Sequence, residues 1–157
     1  MPDSRTQKTK CIICQLLDGS EPASFVYRDD RCAAFMDIQP INAGHLLVVP
    51  NNHAASLKDL TAESAAHLMA IAHRLAVALR TSRLLCEGVN MFLADGEAAG
   101  QEVLHVHLHV FPRYRGDGFG LRIGSDYVKR QREELDEAPG QIRGVLEEDS
   151  NAQREVE

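Results

Sequence analysis

The sequence lacks two features that would point to a membrane or to a polymeric nucleic acid. No apolar run approaches the roughly 20 residues of a transmembrane helix, and residues 1–10 are too polar for a secretory signal. The 17 lysines and arginines are outnumbered by 23 aspartates and glutamates, for a formal net charge of -6. Domains that bind nucleic acids usually carry a basic stripe, so this balance argues against such a partner. A single nucleotide remains compatible, and we expect a cytosolic protein.

Aromatic residues are also scarce, at 5% with no tryptophan, whereas the apolar share of 44% is ordinary for a globular protein. A chain of 157 residues is most simply one domain, which can bury roughly two-thirds of its unfolded surface. We expect this domain to cover residues 11–146, with disordered polar tails at 1–10 and 147–157.

Three histidines alternate with apolar residues in the segment His105-Val106-His107-Leu108-His109-Val110-Phe111. This period predicts a half-buried strand with Val106, Leu108 and Val110 facing the core and the three imidazoles on the opposite face. The row of imidazoles would be roughly 13 Å long, which suits a phosphate chain better than one metal ion. Pro112 should end the strand. Two histidines spaced H-x-H can also share a zinc, so a metalloenzyme remains an alternative.

The segment H-V-H-L-H-V-F resembles the signature of the histidine triad family, whose members are nucleotide-binding hydrolases and transferases. Four further stretches fit the same family in the same order. They are C-x-x-C at 11–14, F-x-D-x-x-P at 35–40, G-H-x-L-V-x-P-x-x-H at 44–53 and D-G-x-x-A-G-Q at 95–101. Together the matches span roughly residues 11 to 125 of the chain.

The pattern of strands and helices predicts an α+β fold with a five-stranded antiparallel sheet. The strands are expected at Ala23–Arg28, Arg31–Asp37, Leu46–Val49, Val89–Ala94 and the triad segment. Thr61 can cap a long helix whose apolar stripe packs on the sheet. A short C-terminal helix is expected near Leu146, with a kink or a new start at Pro139.

The pair Cys11 and Cys14 is ambiguous by itself, since a C-x-x-C can be a redox pair, half of a zinc site or two free thiols. A redox pair would need a preceding strand and a parallel sheet, which this polar start does not supply. In the zinc-bearing bacterial branch of the resembled family, the positions of His53 and His105 are ligands. The resemblance therefore implies a structural zinc held by Cys11, Cys14, His53 and His105.

The resemblance also assigns the catalytic histidines. His107 would be the nucleophile that forms a nucleotidyl-histidine intermediate. A neutral imidazole is required, which the ordinary histidine pKa near 6.5 allows. His109 would hydrogen-bond the phosphate and help the leaving group depart, and His45 would approach the triad.

The expected substrate contacts come from two of the matched stretches. Asp37 would accept hydrogen bonds from the ribose hydroxyls, because a carboxylate offers two acceptor oxygens to a diol. Phe35 and Ile38 would flank the base. Gly100 and Gln101 belong to a turn whose N–H groups would meet phosphate oxygens.

Taken together, the resemblance implies a homodimer that acts at the α-phosphate of a purine nucleotide derivative. The substrate would be a nucleoside phosphoramidate or a dinucleoside polyphosphate. The chain departs from the family at Ala94, where asparagine or glutamine is frequent, and at Glu102, where serine or threonine is frequent. Two alternatives stay open: a metal-dependent hydrolase that uses the triad as ligands, and a nucleotide-binding sensor or scaffold with little turnover.

Overall fold

The computed structural model describes residues 11–136 and 138–154. The tail expected at 1–10 and the last residues, 155–157, lie outside this part of the chain. The chain divides into two compact units, the first ending at Phe119 and the second beginning at Gly120. None of the helices in the described ranges is long and apolar enough to cross a bilayer. The single domain expected over 11–146 stays a prediction.

The first unit is built on a five-stranded antiparallel sheet, as the sequence predicted. Its strands are β1 (Phe25–Arg28), β2 (Cys32–Met36), β3 (Leu46–Pro50), β4 (Gly88–Leu93) and β5 (Leu108–Arg113). Their spatial order is β1-β2-β3-β5-β4, and every neighbouring pair is antiparallel. The strand that carries His109 therefore lies inside the sheet, between β3 and β4.

Helices cover both faces of this sheet. Before β1 comes α1 (Ile12–Asp18), and between β3 and β4 comes α2 (Ala62–Thr81), which Thr61 caps by accepting a hydrogen bond from the Ser64 N–H. The stripe of α2 packs against alternate residues of β2, β3 and β5, in a core that includes Leu68, Ile71, Ala72, Leu75, Leu79, Ala34, Val48, Leu108 and Val110. The intervening strand residues form a second cluster with the α1 region: Cys11, Ile13, Ala33, Phe35 and Val49.

The triad segment differs from the expected strand at both ends. Val106, Leu108 and Val110 do face the core, but β5 begins at Leu108, so His105 and His107 precede it. The prediction that Pro112 ends the strand was wrong, because β5 continues to Arg113 and Pro112 lies opposite Val89 of β4.

The second unit contains α3 (Arg132–Asp136) and α4 (Pro139–Arg154). Pro139 is the first residue of α4, where its fixed φ and missing N–H are tolerated, so the expected new start at this proline is confirmed. The helix is longer than the sequence suggested, and it includes residues 147–154, which were expected in the tail.

Candidate metal centre and candidate active site

The two cysteines of the C-x-x-C pair lie beside His53 and His105, with all four ligand atoms within 4.8 Å of one another. Cys11 Sγ and Cys14 Sγ are both 3.5 Å from His105 Nδ1, and Cys14 Sγ is 3.5 Å from His53 Nδ1. A tetrahedral zinc with ordinary Zn–S and Zn–N bonds separates sulfur and nitrogen ligands by about 3.6 Å. The spacing of these residues therefore fits zinc.

The ring of His105 is oriented for a metal by its second nitrogen. Nε2 lies 3.0 Å from the carbonyl oxygen of Pro50, at the end of β3. A carbonyl only accepts hydrogen bonds, so Nε2 carries the proton and the lone pair of Nδ1 faces the two sulfurs. Burial lowers the pKa of His105 to about 4, which keeps the ring neutral, as a metal ligand must be.

His107 is held in the opposite tautomer to His105, again by a backbone carbonyl. Its Nδ1 lies 2.7 Å from the carbonyl oxygen of His105, so Nδ1 carries the proton and donates it to that carbonyl. The bare nitrogen of the neutral ring is then Nε2. The residue is buried and its ring lies 5.0 Å, centroid to centroid, from that of His109. A neutral imidazole with a bare nitrogen is a nucleophile.

His109 has the opposite tautomer because of a chain of hydrogen bonds that starts at the backbone. The N–H of Ile41 donates to His45 Nδ1 at 3.1 Å. The proton of His45 is then on Nε2, 2.9 Å from His109 Nδ1, which must accept it. The proton of His109 is left on Nε2. Burial lowers the pKa of both rings, that of His109 to about 4, against the opposing effect of Asp37.

The carboxylate of Asp37 lies beside this histidine pair. Its Oδ2 is 3.6 Å from His45 Nε2 and 3.8 Å from His109 Nδ1, and its Oδ1 accepts a hydrogen bond from the Gln39 N–H at 2.8 Å. The three side chains have the composition of a metal site, but the hydrogen bonds oppose that use. A metal on His45 Nε2 would move the ring proton to Nδ1, where it would face the N–H of Ile41.

The loop that presents Ile41 is fixed by residues whose roles the sequence did not reveal. Asn42 Nδ2 donates to the Pro112 carbonyl at 2.8 Å and to Asp117 Oδ2 at 2.9 Å. Asp117 in turn pairs with Arg113 through both oxygens, so the guanidinium of Arg113 supports the fold. Neither Ile41, which acts through its backbone, nor Asn42 stood out as a motif residue.

Gly44 places His45 by a conformation that other residues avoid. Its φ is +101°, and an added Cβ would lie 2.7 Å from Leu84 Cδ1 and 3.1 Å from Leu79 Cδ2. The glycine of the G-H pair is therefore required both by its backbone and by its close contact with neighbouring side chains.

The residues expected to flank the base differ in their surroundings. Phe35 is 2% exposed and packs edge-on against Phe25, with ring centroids 5.7 Å apart. Ile38, by contrast, is 96% exposed, so almost its whole side chain is open to solvent. Of the two, only Ile38 offers an open apolar surface in this conformation.

Gly100 and Gln101 were expected to meet phosphate. In the structure they make hydrogen bonds that stabilise the turn to which they belong. The side chain of Gln101 is buried, accepts a hydrogen bond from the Gly96 N–H, and donates to the carbonyls of Ala55 and Val103. Gly100 has a φ of +87° and its N–H donates to the carbonyl of Glu97. Gln101 thus ties the turn to the loop after β3, the loop that also carries His53.

The remaining two cysteines lie outside the metal centre. Cys32 is fully buried, and burial raises the pKa of its thiol to about 12. Cys86 is half-buried, and its Sγ lies 3.1 Å from the Gly88 carbonyl oxygen. His67 contacts Asp29 at 2.7 Å and links α2 to the turn between β1 and β2.

Comparison with known proteins finds relatives in both sequence and structure. The family model for the HIT domain matches residues 18–116. A zinc-bound histidine triad family protein from Mycobacterium smegmatis is 39% identical, with a TM-score of 0.69 over 76% of this chain and 86% of that one. A HIT family protein from Bacillus anthracis is 35% identical, with a TM-score of 0.79 over 87% and 96%. A histidine triad nucleotide-binding protein from Candida albicans is 26% identical, with a TM-score of 0.72 over 91% and 99%. The Cys₂His₂ cluster and the zinc-bound relative together identify a structural zinc site.

Proposed function

Because this chain belongs to the histidine triad (HIT) family, we propose that it is a nucleotide hydrolase or transferase acting at the α-phosphate of a purine nucleotide derivative. One observation carries the proposal, namely the opposite tautomers of two neighbouring histidines. His107 offers a bare Nε2, whereas His109 offers a protonated Nε2. A nucleophile and a hydrogen-bond donor side by side are what displacement at a phosphate requires.

In the first half of the reaction, His107 Nε2 attacks the α-phosphorus and forms a P–N bond. The bond from phosphorus to the leaving group breaks while His109 donates a hydrogen bond from its Nε2–H to the departing atom, which takes its proton from a water molecule. In the second half, the hydroxide left by that water attacks the same phosphorus. The P–N bond breaks, and both histidines are left in their starting tautomers.

His45 and Asp37 assist the reaction through contacts on the Nδ1 side of the His109 ring. The Nε2–H of His45 keeps the lone pair of His109 Nδ1 occupied, so the N–H available to the leaving group is the one at Nε2. Asp37 Oδ2, 3.8 Å from that Nδ1, favours any positive charge that the pair acquires. Its carboxylate would also accept the ribose hydroxyls, with Ile38 beside the base and with Gly100 and Gln101 shaping the phosphate turn.

The zinc would act by cross-linking the first turn of α1, the loop after β3 and the segment before β5. Four protein ligands leave no open coordination position for a substrate. The alternative of a metal-dependent hydrolase uses the triad as ligands, but His105 belongs to the Cys₂His₂ cluster; the other cluster with a triad histidine among the described residues is Asp37, His45 and His109. The hydrogen bond from the Ile41 N–H to His45 Nδ1 argues against that site.

The test is an acid quench of a reaction with a substrate labelled at the α-phosphate, followed by mass spectrometry of the protein. The proposal expects a nucleotidyl adduct on His107. An adduct on another residue would overturn it, and activity that vanishes with chelator while the fold survives would favour the metal-dependent hydrolase. Tight binding without turnover would make the protein a sensor. Comparing kcat/KM for nucleoside phosphoramidates and dinucleoside polyphosphates would identify the substrate.

We further propose that the protein is a cytosolic homodimer whose partner molecules are nucleotides, with neither a membrane nor a nucleic-acid polymer involved. The strand β4 lies at the edge of the sheet, and Met91 and Phe92 on it are 37% and 44% exposed. An exposed apolar edge strand supports pairing with a second copy, which would extend the sheet sideways. Light scattering of the purified protein would decide the oligomeric state.

A further inference from the structure

The peptide group that joins His105 to Val106 connects the metal centre to the nucleophile. We propose that the zinc ligands orient His107 through this peptide group, so that His105 is both a ligand and a positioning residue. The inference rests on the proposed function in one respect only, that His107 is the nucleophile. The metal centre would then set the orientation of the His107 ring in addition to stabilising the fold.

The ring of His105 is fixed at both of its nitrogens. Nδ1 faces Cys11 Sγ and Cys14 Sγ, each at 3.5 Å, and Nε2 donates to the Pro50 carbonyl at 3.0 Å. With a metal bound, neither rotation nor a change of tautomer is available to this ring, which limits the motion of its backbone.

The direction of this peptide group is fixed by a hydrogen bond to the residue that follows the second histidine ligand, His53. The N–H of Val106 donates to the Ala54 carbonyl at 2.7 Å, and Ala54 directly follows His53. A trans peptide is planar, and its N–H and C=O point in opposite directions. The bond to Ala54 therefore sets the direction of the His105 carbonyl, which accepts the Nδ1–H of His107 at 2.7 Å.

The sheet does not provide this orientation. The pairing of β5 with β3 begins at Leu108, one residue beyond His107. His109, in contrast, lies opposite Leu47 of β3, and its partner His45 is held by the Ile41 N–H. Loss of the metal should consequently release His107 and leave the His45–His109 pair as it is.

The experiment compares ring tautomers by long-range ¹H–¹⁵N spectra of the full chain, loaded with zinc and as the zinc-free variant Cys14→Ser. In the zinc-loaded protein we expect His107 to be protonated at Nδ1 alone. In folded Cys14→Ser we expect it to populate both tautomers, while the signals of His45 and His109 stay unchanged. The control Leu68→Ala creates a cavity in the α2 core and lowers stability while keeping all four metal ligands, so it should keep His107 in one tautomer. A single unchanged His107 tautomer in zinc-free, folded protein would overturn the proposal.

Should Cys14→Ser not fold, cadmium-substituted wild type provides the comparison without a substitution. The longer bonds of the larger ion should shift the ring signals of His105 and His107 together and leave those of His109 in place, and unshifted His107 signals would contradict the coupling. In zinc-free folded protein, adduct formation in a single turnover should slow at least about tenfold, while the nucleotide Kd changes less. If even zinc-loaded protein forms no adduct, the proposed function fails, and the tautomer comparison still decides the coupling.

Discussion

His45 Nε2 lies 2.9 Å from His109 Nδ1, so the two rings share one hydrogen bond, with His45 buried and His109 half-buried. Neither ring can take up a second proton without placing a charge in a poorly hydrated site. The pair is thereby kept neutral at pH values at which an exposed histidine would be half charged. The pair therefore differs from ordinary surface histidines, and the free energy of unfolding should depend measurably on pH because of it.

We predict that the pair lowers stability in acid. The pKa of His109 is about 4 in the folded protein and near 6.5 when unfolded, so below pH 6.5 the unfolded chain binds more protons. The free energy of unfolding should therefore fall as the pH drops from about 6.5 to about 4. His109→Gln should weaken this fall, measured as Tm against pH, by a few degrees. His73→Gln, which changes an exposed histidine of α2, should leave it intact. Identical profiles for His109→Gln and wild type would contradict the prediction.

Replacing His107 and His109 should impair the reaction in different ways. His107→Ala removes the attacking nitrogen, so no nucleotidyl adduct should form, while nucleotide binding should stay close to that of wild type. His109→Ala removes one donor to the transition state, which typically costs ~10²–10³-fold in kcat, and it should let some adduct accumulate. Acid-quench mass spectrometry and titration with a non-hydrolysable nucleotide separate the two cases. An active His107→Ala enzyme would rule out the covalent mechanism.

Asp37 should bind the ribose. Hydrogen bonds to a charged group contribute ~1.5–3 kcal/mol, so Asp37→Ala should weaken nucleotide binding roughly tenfold to hundredfold. A 2′,3′-dideoxy ligand should lose similar affinity for wild type and little more for the mutant, by isothermal titration calorimetry. The control Asp59→Ala removes a carboxylate that contacts Ser56 in a separate turn. If the losses from Asp37→Ala and from the dideoxy ligand simply add, the ribose binds elsewhere.

The metal centre should hold one zinc per chain in protein purified without chelator. Cys14→Ser removes a thiolate that lies 3.5 Å from both histidine ligands, so zinc content and Tm should both fall. Cys86→Ser changes a thiol outside the cluster and should retain the metal. Elemental analysis together with thermal unfolding makes the comparison. Wild-type protein without zinc would refute the prediction.

The period-two pattern of the triad segment correctly predicted which residues enter the core, because Val106, Leu108 and Val110 must all leave water. It could not predict where the strand begins. His105 and Val106 make their backbone hydrogen bonds to Val103 and Ala54, and such local alternatives to a ladder leave no mark on hydrophobic spacing. The alternation predicted only that the three imidazoles share one face, and it took the family resemblance to separate His105, in the metal cluster, from the other two.

The rule that a proline ends a strand failed for a related reason. The carbonyl of Pro112 accepts a hydrogen bond from Asn42, so this residue directs its backbone groups away from β4. The missing N–H therefore removes no bond between β5 and β4. Such a contact between residues 42 and 112 depends on the tertiary structure. Motif residues could be read from the sequence, whereas the backbone groups that set their tautomers could not.

The unequal surroundings of the four cysteines have a practical consequence for labelling the protein. With zinc bound, Cys11 and Cys14 are ligands, and the buried Cys32 has a thiol pKa of about 12, which leaves almost no thiolate to react at neutral pH. Cys86, half-buried between α2 and β4, is then the thiol that a maleimide should reach first. A fluorophore attached there would report on the edge of the sheet without any engineered cysteine. Additional labels would signal that the metal had been lost.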